Sequence, residues 1–187
     1  MAIDVEYQIC TRQLSKALHL LILIFLLATI ACPLSHARKE QIVELRPWSD
    51  ALTYAEHYLP KSGTLVQKGD GYAYLKVDDG YIHDLFPKLH LDRAFKKPPY
   101  FRRSDAPGAH ISVVYENEHV ILKEIGQKFK FAIKGINVVQ TNKNTSYVVL
   151  EVTALDLEKL RSRYGLSPKL NGHEFHITIA KKSNKNL

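Results

Sequence analysis

A block of sequence from Tyr72 to Leu85 recurs from Tyr147 to Leu160 at a constant offset of 75 residues. The first reads YAYLKVDDGYIHDL and the second YVVLEVTALDLEKL. Tyr72 matches Tyr147, Leu75 matches Leu150, Val77 matches Val152 and Leu85 matches Leu160, and the charged positions Lys76 and Glu151 also line up. Each block starts as a strand, because aromatic and β-branched residues suit a pleated surface. Each then turns into a helix. In the second, Thr153 with Asp156 resembles a capping box. Leu157, Leu160 and Tyr164 form an apolar stripe, and Gly165 and Pro168 mark the stop. In the first, Ile82, Leu85, Phe86 and Leu89 make one helical face after Asp78 and Asp79, and Pro87 predicts that this helix is short or kinked.

A short β-like run follows each helix, Ala109–Tyr115 and Phe175–Ala180. The first half is longer, and its extra length falls in the Lys96–Gly108 loop, rich in proline. Another strand precedes each repeat, Gly63–Gln67 and Phe129–Val139. A leading helix, Ser49–Leu59, has Ser49 as its expected cap and Pro60 as its stop. The plan is therefore α, then ββαβ twice. It predicts an α+β domain of two pseudo-twofold lobes, about 47–115 and 129–181, with sheets facing a shared cleft. Tyr115–Lys128 joins the lobes, and Ser183–Leu187 is a polar tail.

The N-terminal segment reads as an address. Ala17–Cys32 is an uncharged apolar run behind Arg12 and Lys16, followed by the small-residue pattern Ser35-His36-Ala37. That order predicts a secretory signal over residues 1–37, cleaved near Ala37, and a periplasmic or secreted product. The alternatives are an uncleaved membrane anchor over 17–32 and a lipid on Cys32. Cleavage leaves a domain of residues 38–187 that lacks both cysteines, Cys10 and Cys32, so neither a disulfide nor a thiolate serves it. The net charge of +7 suits an anionic ligand as well as plain solubility. A monomer is expected.

In a strand, residues two apart share a face. His110 and Ser112 therefore point one way, with Ile111 and Val113 behind them toward the helices. His176 and Thr178 do the same, backed by Ile177 and Ile179. A pseudo-twofold brings both pairs into one cleft. Two imidazoles form an acid–base couple near neutral pH, since histidine ordinarily titrates near 6.5. One removes a proton from the attacking oxygen and the other gives one to the leaving oxygen. The hydroxyls of Ser112 and Thr178 bond the non-bridging oxygens of a phosphate. Phosphodiester transfer needs that set of parts and, in this form, no metal and no cofactor.

The doubled His-apolar-Ser/Thr-apolar pattern resembles the 2H (two-histidine) phosphoesterase superfamily. The stretches GDGYAYLKVDDGYIHDLFPKL, PPYFRR and APGAHISVVYENE are similar to its Swiss Army Knife RNA-repair-like branch, over Pro47 to Lys181. The resemblance implies a bilobal α+β fold and metal-independent action on a 2′,3′-cyclic phosphate or related nucleotide or RNA-end phosphodiester. It also implies His110, Ser112, His176 and Thr178 as the site. An export signal departs from an intracellular RNA-repair role and favours scavenged or foreign nucleotides as substrates.

Tyr100, Arg102 and Arg103 precede the first motif, where the arginines are candidates to clamp a phosphate and the tyrosine to stack on a base. Tyr115 faces away from His110 unless the strand bends or ends there. His173, three residues before His176, is expected on the opposite face, which argues against a shared metal in HEFH. His57, His83, His90 and His119 read as surface residues, Lys181 and Lys182 as a charged tail, and Asn144-Thr-Ser as a glycosylation sequon. Two other classes compete: an exported module that holds a nucleotide or RNA end without turnover, and an interaction protein that uses its basic loop.

Overall fold

The structure is a computed structural model that describes residues 48–183, apart from Ser104 and Lys143. The proposed signal or anchor over 1–37, and the end of the polar tail, lie outside the described residues. Among the described residues no helix is long and apolar enough to cross a membrane.

The fold is α+β. Its helices are α1 (Ser49–Tyr58), α2 (Gly80–His83), α3 (Leu85–Lys88) and α4 (Leu155–Arg163). Its strands are β1 (Ser62–Gln67), β2 (Ala73–Lys76), β3 (Phe95–Lys96), β4 (His110–Val114), β5 (Lys128–Lys130), β6 (Ala132–Asn142), β7 (Thr145–Thr153) and β8 (Phe175–Ser183). All belong to one antiparallel sheet in the order β5-β1-β2-β4-β8-β7-β6, with β3 added on β8. The two halves of the repeat thus join edge to edge, and β4 meets β8 where Ile111 stands opposite Ile177.

The expected strand Phe129–Val139 is two strands. β5 pairs with β1 and β6 pairs with β7, at opposite edges of the sheet. A single residue, Phe131, separates them, and its N–H donates to the Lys61 carbonyl at 3.1 Å. One residue spans only about 7 Å between its flanking Cα atoms. The two edges must therefore approach at this corner, so the sheet is curled.

Ile111, Val113, Ile177 and Ile179 are fully buried on the helix side, among Tyr81, Ile82, Leu85, Leu157 and Leu160. Each large aliphatic side chain buried in this way stabilises the fold by about 2–3 kcal/mol. This layer fixes which face His110, Ser112, His176 and Thr178 present.

Several local expectations change. Ser49 does not cap α1: Trp48 holds the cap position in a left-handed conformation, and the Ser49 hydroxyl meets Asp50. Thr153 ends β7 and Ala154 precedes α4, so the Thr153/Asp156 capping box does not form. The helix is short as Pro87 predicts, but the break falls at Asp84, between the single turns α2 and α3, and Pro87 lies inside α3. Gly165 ends α4 in the left-handed region, φ 74°. Its N–H reaches the Ser162 carbonyl, and the Leu166 N–H reaches that of Arg161, which closes the helix end. Lys181 and Lys182 are not a tail, because both lie in β8 and pair with β7 and β3.

Candidate active site

The pairing of Ile111 with Ile177 dictates the arrangement on the other face. In an antiparallel pair at that register His110 stands opposite Thr178, and Ser112 opposite His176. Each histidine thus faces the hydroxyl of the other motif. β2 and β7 extend the pattern outward, with Lys76 beside His110, Tyr74 beside Ser112, Val149 beside Thr178 and Glu151 beside His176. Two rows cross the sheet, Lys76–His110–Thr178–Val149 and Tyr74–Ser112–His176–Glu151. A half-turn about the Ile111–Ile177 pair exchanges them, relating Lys76 to Glu151 and Tyr74 to Val149 at the 75-residue offset and each histidine to the other at 176 − 110 = 66. Diagonal neighbours on one face lie about 7–8 Å apart. His110 and His176 are diagonal neighbours of this kind and both line one cavity, as in-line attack on a single phosphorus requires.

Both imidazoles are held alike. His110 Nδ1–H donates to the Gly108 carbonyl at 2.8 Å, and His176 Nδ1–H donates to the Glu174 carbonyl at 3.1 Å. A carbonyl only accepts, so Nδ1 carries the hydrogen and Nε2 remains for chemistry in each ring. Gly108 has φ 63°, and a Cβ there would overlap Lys76 Nζ and Asp79 Oδ1. Lys76 and Asp79 form an ion pair, and Asp79 accepts the Ala109 N–H at 2.8 Å. The pair therefore clamps the turn that aims His110. Burial raises the Asp79 carboxyl, but the Lys76 hydrogen bond, the Ala109 N–H and the Lys76 charge together hold it below the usual carboxylate range.

His110 is buried, 9% exposed, with the rings of Tyr100, Tyr74 and Tyr72 edge-on at 4.7, 5.5 and 6.3 Å. Burial, followed by the charges of Lys76, His176 and Lys68, pushes its proton affinity below the ordinary imidazole value against the opposing Gly108 hydrogen bond. The Tyr72 hydroxyl and the Ser112 hydroxyl are hydrogen bonded at 2.7 Å, and Tyr100 lines the same cavity as Thr178. Burial pushes both phenols up, so they stay neutral, and Tyr72 orients the Ser112 hydroxyl.

The site opens into a cavity of about 750 Å³. Tyr72, Tyr100, Tyr115 and Tyr147 wall it, Val139 and Val149 add apolar surface, and Glu151, His173 and Glu174 line it too. Among the described residues no Lys or Arg side chain lines it.

The structure thus brings together His110, Ser112, His176, Thr178 and Tyr100. It does not bring in Arg102 or Arg103. Both are exposed and outside the cavity, and Arg103 forms a two-point ion pair with Asp105. The arginines are therefore not placed to clamp a phosphate held between the histidines. Tyr115 does enter the wall: β4 ends at Val114, and Tyr115 starts the 3₁₀ turn Glu116–Glu118 with its ring stacked on Tyr72. His173 also faces the cavity, contrary to the strand-based expectation, because β8 begins only at Phe175. Among the described residues no group of three or more His, Cys, Asp or Glu is placed to hold a metal. His57, His83, His90 and His119 are exposed.

Sequence reading missed Tyr72, Tyr74, Tyr147 and Glu151. Their signal was the alternation along the repeated strands, where 72, 74 and 76, and 147, 149 and 151, share the histidine face.

The family model described as Swiss Army Knife, 2H phosphoesterase domain matches residues 73–186, more than half of the chain. The chain belongs to this family of 2H phosphoesterases, and its activity is that of a phosphoesterase, a hydrolase. No curated protein and no solved structure matches it.

Proposed function

We propose that the protein hydrolyses a 2′,3′-cyclic phosphate, or a closely related nucleotide or RNA-end phosphodiester, by metal-independent two-histidine acid–base catalysis. The observation that carries the reading is the β4–β8 register, which sets each histidine opposite the other motif's hydroxyl. One Nε2 takes a proton from water as its oxygen bonds to phosphorus. The other Nε2 gives a proton to the ribose oxygen as the ring P–O bond breaks. Ser112 and Thr178 donate to the non-bridging oxygens, and the tyrosine walls offer faces on which a base stacks. The described lining has no cationic side chain apart from a protonated histidine. That favours a substrate with one phosphodiester at the site over a polyphosphate. Residues 1–37 are proposed to export the enzyme, which the N-terminal mass of the product checks.

The test is a panel of nucleoside 2′,3′-cyclic phosphates and cyclic-phosphate-ended oligonucleotides, followed by phosphorus NMR with and without a chelator. Wild type should open the ring in both conditions, and His176→Ala should lose about a hundredfold or more. Tight binding without product would support a holding module instead. Turnover that the chelator abolishes would contradict the mechanism.

A further inference from the structure

We propose that Glu151 makes the enzyme selective for guanine: its carboxylate accepts the N1–H and N2–H of a guanine base whose 2′,3′-cyclic phosphate lies between the histidines. This rests on the phosphodiesterase reading above. Two carboxylates line the cavity, Glu151 and Glu174. Glu174 is already engaged, by Lys134 at 3.2 Å and by Lys169 at 2.6 Å. Glu151 is half-buried in the wall, and among the described residues no hydrogen bond or ion pair engages its carboxylate. A carboxylate only accepts hydrogen bonds, and beside an anionic phosphate it repels the ligand unless the ligand brings donors to it.

The place of Glu151 suits a base. It lies on β7, one strand outward from His176, and Val149, two residues earlier, shares its face and also lines the cavity. On its other side β6 sets Gly135 opposite it, and a Cβ there would meet nothing within 4 Å. An apolar platform, an open flank and a carboxylate therefore adjoin, and a flat base resting on Val149 turns its edge to Glu151. The two carboxylate oxygens accept two parallel N–H bonds from one planar group. Guanine carries two adjacent donors, N1–H and N2–H, on its Watson–Crick edge. Adenine and cytosine each set an acceptor ring nitrogen beside the amine, and uracil has a single N–H between two carbonyls. Each of these would turn an acceptor to the carboxylate. Among the described residues no Lys, Arg, Asn or Gln side chain lines the cavity to satisfy such acceptors. The volume of about 750 Å³ is of the size that holds a mononucleotide.

Calorimetry with the 3′-monophosphates of guanosine, inosine and adenosine reads the pocket without turnover. Wild type should bind the guanosine compound about tenfold tighter than the inosine one, which lacks the N2 amine, and the adenosine compound more weakly still. Glu151→Gln replaces one acceptor with a donor and should lower the guanosine-over-adenosine ratio at least about tenfold; Glu151→Ala should lower it as well. The ratio of kcat/KM on the corresponding 2′,3′-cyclic phosphates should move with it. Equal binding of the three monophosphates by wild type, or a guanosine preference that survives both substitutions, would overturn the assignment. Turnover of the cyclic esters without a base preference would overturn it too, while leaving the phosphodiesterase reading intact. Guanosine-selective binding that Glu151→Gln abolishes, with no turnover of any cyclic ester, would overturn that reading and uphold the role of Glu151.

Discussion

Glu118→Gln should destabilise the fold by about 2–4 kcal/mol, although the new side chain has the same shape. Arg161 is 1% exposed, and its guanidinium donates to Glu118 Oε2 at 3.0 Å and Oε1 at 2.7 Å. It also donates to the carbonyls of Ser167 and Val113. Glu118 accepts the Tyr115 N–H at 2.9 Å as well, so this one carboxylate ties α4 to the turn that carries Tyr115 into the cavity. Removing one partner of a buried ion pair costs about 3–5 kcal/mol, because the other charge is left without compensation. The Glu118 side chain is 20% exposed, which admits some water and brings the figure down. Urea unfolding followed by Trp48 fluorescence measures it. The Glu118→Gln, Arg161→Met double variant should recover much of the loss, giving a coupling of about 2 kcal/mol or more. A pH series adds a sign. The Arg161 hydrogen bond foremost, with the Tyr115 N–H, holds the Glu118 carboxyl below its usual range against the opposing effect of burial. Its contribution is therefore full above the unfolded value of about 4.3 and fades as pH falls through the lower folded value. The gap between wild type and Glu118→Gln should close in acid. A gap below about 1 kcal/mol at pH 7, or one that widens in acid, would refute the reasoning.

Three further outcomes follow from the site. Gly108→Ala places a side chain at φ 63° and against the Lys76–Asp79 pair. It should cost at least about 1–2 kcal/mol in thermal unfolding and lower kcat/KM more than about tenfold through His110; full activity would contradict the clamp. Tyr72→Phe removes the partner of the Ser112 hydroxyl and should lower kcat with little change in fold, as steady-state kinetics and circular dichroism report. Burial keeps His110 deprotonated to lower pH than a free imidazole, so the acid limb of kcat/KM should lie below about 6.5. A limb above that value would assign it to another group.

Much of the site was legible because it is written in alternation. His110, Ser112, His176 and Thr178 lie two apart on strands whose intervening residues are aliphatic, so burying Ile111, Val113, Ile177 and Ile179 fixes the other face. The repeat carried the rest of the architecture, since equivalent strands flank β4 and β8. Three features escaped for physical reasons. Period and composition do not mark where a strand stops, so the split at Phe131 and the early end of β4 before Tyr115 were hidden. Pairing partners are non-local, so nothing in the sequence joined Lys76 to His110 or Glu151 to His176. The exposed Arg102 and Arg103 resemble phosphate ligands in composition, but local ion pairing with Asp105 directs Arg103 elsewhere.

The most direct measurement is a crystal structure with a nucleoside 2′,3′-vanadate, which mimics the five-coordinate phosphorus of ring opening. The vanadium should sit between His110 Nε2 and His176 Nε2, with non-bridging oxygens on the hydroxyls of Ser112 and Thr178 and the base against the tyrosine wall. Vanadium bound at the Arg102–Arg103 loop, or coordinated within reach of only one histidine, would contradict the account.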